Sequence, residues 1–233
     1  MRLLFLYLFI STLFINCNNH PKTKIEFGIE MVNDAKIRQL EISTFQQSVI
    51  FDKENDVYGR KPIFKELIIL DNNENILKNI FSEGDNTYSI VYQYDRKNEF
   101  YKKLQYENNI LIKQGKVLLD EYGREKRHIN DFESVPNFIL DIDYYKDSIV
   151  HKELIDGSLF SSTVECINDI GLPEKIIQSF FNNEGRKMES RVDTLIYLEF
   201  DERGNWIKRV KKSIVPTTER GKIQIRKIEY ENH

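Results

Sequence analysis

The stretch Tyr197-Leu-Glu-Phe-Asp-Glu-Arg-Gly-Asn-Trp-Ile-Lys-Arg209 carries the pattern from which the fold is read. An alternating segment runs into Asp201, a turn follows over Glu202 to Asn205, and a second segment leaves through Trp206. An acid at the head of such a turn can accept the amide two residues on, while Gly204 takes the positive-φ position that other residues disfavour. Trp206 falls two residues past Gly204, where an aromatic ring packs on the sheet face and pins the hairpin. Asp201, Gly204 and Trp206 therefore read as structural residues of a strand–turn–strand unit.

Weaker copies lie upstream. Asp71 precedes Asn72-Asn73-Glu74-Asn75, Asp95 precedes Arg96-Lys97-Asn98-Glu99, Asp120 precedes Glu121-Tyr122-Gly123-Arg124, and Asp169 precedes Ile170-Gly171. With Asp201 the anchors are spaced by 24, 25, 49 and 32 residues. Tyr144-Tyr145-Lys146-Asp147-Ser148 divides the long gap, and Asn182-Asn183-Glu184-Gly185 adds a turn to the last one. A step of about 25 residues fits two strands and their turns, one hairpin per repeat.

The composition agrees with strands. Of 233 residues, 40% are hydrophobic and 30% charged, and 12 Tyr and 15 Phe favour pleated, half-buried surfaces. Ten Gly and five Pro are few, so turns lean on Asn and Asp. Ile25–Met31 alternates, and so does the run beginning at Leu40, where a helix over Ala35–Gln47 would have only a thin apolar stripe. Tyr88, Ile90, Tyr92 and Tyr94 share a face, as do Phe138, Leu140, Ile142 and Tyr144. Phe100, Leu104 and Tyr106 form the apolar face of a strand whose other face carries Lys103 and Gln105. Ile63–Leu70, Ile176–Phe181 and Leu195–Phe200 are apolar at nearly every position, which predicts cover on both faces. The expected fold is all-β: an antiparallel meander of hairpin repeats, its sheet curled on itself as in a barrel or folded into two packed layers.

Met1-Arg2 followed by the apolar run Leu3–Ile15 has signal-peptide length and is short for a bilayer span. The run ends at Phe14-Ile15-Asn16-Cys17, which resembles the lipobox of bacterial lipoproteins, although Asn16 departs from the usual small residue. The resemblance implies removal of residues 1–16, a diacylglycerol on Cys17, and residues 17–23 as lipidated N-terminus and tether. Residues 24–233 then form one domain. It further implies a place in the cell envelope, lipid-anchored to the outer membrane. An ordinary secretory signal or an uncleaved anchor is the alternative. With only two Cys in the chain, acylation of Cys17 would leave Cys166 as a lone thiol suited to packing.

At Tyr92-Gln-Tyr94-Asp95, Asp120-Glu-Tyr-Gly123-Arg124 and Phe200–Arg209 the chain resembles the YD/RHS-type repeat. It is similar to Bacteroidota lipoproteins with a Tyr-Asp-x-x-Gly-Asn-Trp-x-x-Arg hairpin. The resemblance spans residues 60–230, with the copies at Asp71 and Asp95 lacking the turn Gly. It implies an antiparallel sheet of hairpins and no shared catalytic residue.

Chemistry-bearing motifs are sparse. The four His stand at 20, 128, 151 and 233 without metal-ligand spacing, and the polar loop Asp52–Gly59 fails as the start of a calcium loop, whose sixth and twelfth positions would be Val57 and Ile63. No phosphate-cradling, dinucleotide or nucleophile-elbow motif occurs, so neither cofactor nor metal is expected. The formal charge of −3 speaks against nucleic acid. The basic residues of Lys208–Lys212, with Arg220, Lys222, Arg226 and Lys227, read as the solvated face of C-terminal strands. The function expected is a non-enzymatic binding or structural module, tethered to a membrane and meeting an envelope protein or glycan. The alternatives are an envelope hydrolase using Asp141, Asp143 and His128 or His151, and an immunity lipoprotein against a contact-dependent toxin.

Overall fold

The computed structural model describes residues 36–46, 61–71, 75–95, 100–130, 137–215 and 218–231, without the side chains of 214–220. The leader, Cys17, the expected strand Ile25–Met31 and the loop Asp52–Gly59 lie outside the described residues. Among the described residues fourteen strands follow one another: β1 (Ile37–Gln46), β2 (Phe64–Leu70), β3 (Ile76–Glu83), β4 (Asn86–Tyr94), β5 (Phe100–Glu107), β6 (Ile110–Leu119) and β7 (Glu125–Asn130). The second half comprises β8 (Phe138–Tyr144), β9 (Ser148–Ile155), β10 (Ser158–Ile167), β11 (Pro173–Phe181), β12 (Lys187–Phe200), β13 (Trp206–Val215) and β14 (Thr218–Tyr230). Each pairs antiparallel with its neighbours in sequence, and β14 returns to β1, so the meander closes into a barrel. Closure is how the sheet resolves the choice between curling and layering: it leaves no edge strand unpaired.

The two rims are built differently, apart from the Asn182-led turn between β11 and β12, which stands on the first of them. One carries two-residue connections at Asn108-Asn109 (φ 47° and 67°) and Asp156-Gly157 (φ 49° and 79°), the positive-φ pairs whose twist suits a tight hairpin. The other rim carries longer turns led by an Asp or Asn. Asp71 Oδ1 accepts the Asn75 amide at 2.8 Å, Asp120 Oδ1 the Arg124 amide at 2.8 Å, and Asp201 Oδ1 the Asn205 amide at 2.8 Å. Asp120 and Asp201 also accept the amide two residues on, at 2.9 and 3.0 Å. Gly123 and Gly204 supply the left-handed step at φ 75° and 79°. In the turn after β10, Asn168 holds the leading position and makes these bonds to Ile170 and Leu172, with Asp169 one residue further on. Asp95 closes its turn through its backbone, N–H to the Phe100 carbonyl at 3.1 Å. Two strands and one connection of each kind make up the 25-residue step.

Side chains alternate between an interior and an outer face. Ile37, Leu40, Ile68, Leu70, Ile76, Tyr92, Tyr101 and Val117 form an apolar interior cluster near the Asp-led rim. A round barrel of fourteen strands about 4.8 Å apart and tilted about 40° has a backbone diameter of about 28 Å. Interior polar groups therefore find partners on adjacent strands more readily than across the barrel. Two expectations change here. The apolar runs are not covered on both faces throughout: Ile63, Ile196, Leu198 and Phe200 are 38–42% exposed, while Phe45, Val210 and Ile223, outward by register, are buried. The face of β5 that turns inward is Tyr101, Lys103 and Gln105, opposite Tyr94, Tyr92 and Ile90 of β4, while Phe100, Leu104 and Tyr106 face out. Aromatic packing of Tyr101 on Tyr94, with ring centroids 4.9 Å apart, and pairing of Lys103 inside the barrel offset that inversion.

Candidate functional site

The interior of β12–β14, β1 and β2 holds the densest polar chemistry. Trp206 is fully buried, with the Arg209 and Arg226 guanidiniums 4.2 and 4.8 Å from its ring. Arg209 Nε donates to Gln224 Oε1 at 2.6 Å, and Asn79 Nδ2 donates to Glu66 Oε1 at 2.7 Å. Burial pushes the Glu66 carboxyl above its ordinary range, against the Asn79 bond and the charges of Arg209 and Arg226. Nearer the tight-turn rim, Asp193 receives Lys211 at 2.8 Å and Arg191 at 3.1 Å. Burial would raise Asp193, but the bonds from Lys211 and Ser213 and the two cations hold it below the usual carboxylate range. The reading of the basic run as one solvated face is thus corrected. Strand alternation sends Arg209 and Lys211 inward, and Arg226 is 2% exposed. Sequence reasoning missed this because the run was taken whole, whereas a period of two separates Lys208 from Arg209.

Trp206 belongs to a second small cluster with Ile42 and Leu172, against which Tyr197 packs. The Tyr197 hydroxyl donates to the Pro173 carbonyl at 2.7 Å. Beside it the turn grips the last strand: the Tyr230 hydroxyl donates to Asp201, accepts from Asn205 Nδ2 at 2.9 Å, and its ring lies 4.0 Å from the Arg203 guanidinium.

The residues singled out for acid–base chemistry do not come together. Asp141 and Asp143 face outward, where Arg127 forks onto Asp141, its Nη2 at 2.9 Å, and Lys152 reaches Asp143 at 2.9 Å. His128 and His151 lie on the other face, in register with Leu140 and Ile142. There His128 bonds Glu125 at 2.8 Å and His151 approaches Glu165 at 3.4 Å. Cys166 is a half-buried free thiol on the outward face with Val164. Among the described residues no group of three or more His, Cys, Asp or Glu is placed to hold a metal ion.

A pocket of ≈310 Å³ opens at the tight-turn rim, lined by Ile129, Asn130, Asn137, Phe138, Ile139, Asp156 and Gly157. It exists because β7 meets β8 only over Arg127–Ile129, so Asn130 and Phe138 part beyond the last pair. Asp156 fixes one wall: its backbone N–H donates to the Asn137 carbonyl at 3.0 Å and its Oδ1 accepts the Asn137 amide at 3.1 Å. No sequence signal pointed here, since the pocket depends on where a strand pairing stops.

No protein-family model matches the chain, and no curated protein does. Among solved structures, the chain is similar to a porin-like protein from Bacteroides uniformis at 9% identity. The match covers 83% of this chain and 96% of that one, with a TM-score of 0.47. At that score nothing is carried over from it.

Proposed function

We propose that the chain is an envelope lipoprotein of degenerate YD/RHS-like hairpins, held at the outer membrane by a lipid on Cys17. Its barrel stands in water and acts as a binding or structural module. The observation that carries the aqueous placement is the outer ladder Arg127–Asp141 and Lys152–Asp143, with side chains 27–46% exposed on adjacent strands. On a lipid-facing strand a Lys or Arg at mid-depth costs about 2–4 kcal/mol. Lys65, Lys102, Lys116 and Lys175 also share the outer parity of their strands. A binding role is favoured over hydrolysis because Asp141 and Asp143 are each met by a cation, a sheet thickness away from His128 and His151.

The test is fractionation of the full chain made in a bacterium with two membranes. It should sediment with membranes and incorporate labelled palmitate, and Cys17→Ala should release it to the soluble fraction. A Cys17→Ala chain that stays membrane-integral through alkaline extraction would overturn the reading.

A further inference from the structure

We infer that the pocket between the parted ends of β7 and β8 takes a neutral hexose unit of an envelope glycan, which rests on the binding role above and gives it a ligand class. Three groups of complementary chemistry converge there. Phe138 supplies an aromatic surface on which the C–H face of a pyranose can lie, with Lys113 Nζ 5.3 Å from the ring centroid. Asp156 supplies a carboxylate whose Oδ1 is already oriented by the Asn137 amide, so its other oxygen can accept a sugar hydroxyl. Asn130 supplies a carboxamide whose Nδ2 is buried without a hydrogen-bond partner, a desolvation cost that a ligand oxygen would relieve.

Gly115 gives this arrangement its room. It pairs with Asn130 across β6 and β7, and a Cβ there would stand 2.9 Å from the Ile129 carbonyl oxygen and 3.3 Å from Asn130 Oδ1. Mid-strand Gly weakens a sheet, and one that a neighbouring amide overlies marks a place where close approach is needed. The volume of ≈310 Å³ lies at the small end of ligand sites, which suits one sugar ring. The Asp156 carboxylate and the Lys113 ammonium beside Phe138 offset one another, which favours a neutral ring over an acidic one.

The full-length chain, in detergent where it does not leave the membrane, is titrated with glucose, galactose, mannose and N-acetylglucosamine, followed by saturation-transfer NMR. At least one sugar should bind saturably with Kd of about 1–10 mM. Phe138→Leu, which keeps the apolar filling, and Asp156→Ala at the surface should each weaken it about tenfold. Absence of transfer from every sugar at about 50 mM, or equal binding by both variants, overturns the inference. If an envelope protein is retained in a pull-down while no sugar binds, the binding role stands and the sugar falls. If Cys17→Ala stays integral yet a sugar binds, the placement falls and the pocket stands.

Discussion

The sector β12–β13–β14–β1 and the seam between β7 and β8 are made of the same alternating strands and are held together by different means. In the first, β12 pairs with β13 from Val192 to Phe200 and β14 with β1 from Ile37 to Gln46, over an interior of Trp206, Arg209, Arg226 and Gln224. In the second, pairing ends after Arg127–Ile129, and the seam is reinforced from outside by Arg127 on Asp141. Where backbone pairing is long, side chains are free to be buried and to order the interior. Where it is short, a solvent-facing ion pair takes over part of the task, and solvent weakens it.

Four substitutions put that contrast to the test. Trp206→Ala should have the largest effect, lowering stability by about 3–5 kcal/mol in denaturant titration; unchanged melting would mean that the first sector does not rest on its buried ring. Asp201→Ala removes two amide bonds and the Tyr230 contact, and a loss of about 2 kcal/mol is expected. Asp193→Asn tests the interior ion cluster through pH. The folded carboxyl is depressed, so its contribution is present above the ordinary Asp value and disappears as pH falls through the lower folded value. The variant should therefore melt below the parent at neutral pH and converge with it in acid; a gap that persists in acid would assign the effect to shape alone. Arg127→Ala should be the mildest, about 0.5–1 kcal/mol, and its effect should shrink in high salt. A larger, salt-independent loss would place the β7–β8 seam on the same footing as the first sector.

Glu66 bears on the contrast with the opposite sign. Its folded pKa is raised, so the stability tied to its protonated form is present at low pH and is lost as pH rises through the folded value.

How much of this was legible beforehand follows from the period of the signal. Strand identity was readable because Tyr88–Tyr94 and Phe138–Tyr144 alternate, and all-β character needs no more than that. Turn positions were readable to within one residue; Asp169 beside the leading Asn168 shows the limit, since either side chain can head such a turn. Which face turns inward was not readable for β5, because Phe100 and Tyr101 are both aromatic and only closure decides between them. The interior charges escaped for a related reason: burial of Arg226 depends on strands far from it in the chain. The pocket was least accessible, being a consequence of where β7 stops pairing with β8.

The order of the strands has a kinetic consequence. Every seam but one joins segments adjacent along the chain, and only β1–β14 must bring together residues separated by nearly its whole length. Local hairpins form in microseconds, whereas closing so long a loop bears an entropy cost that no contact repays until the ends meet. Assembly can thus proceed as an open ribbon whose last act is to join β14 to β1. The Tyr230 contacts with Asp201 and Asn205 sit beside that final seam, where they would slow its reopening.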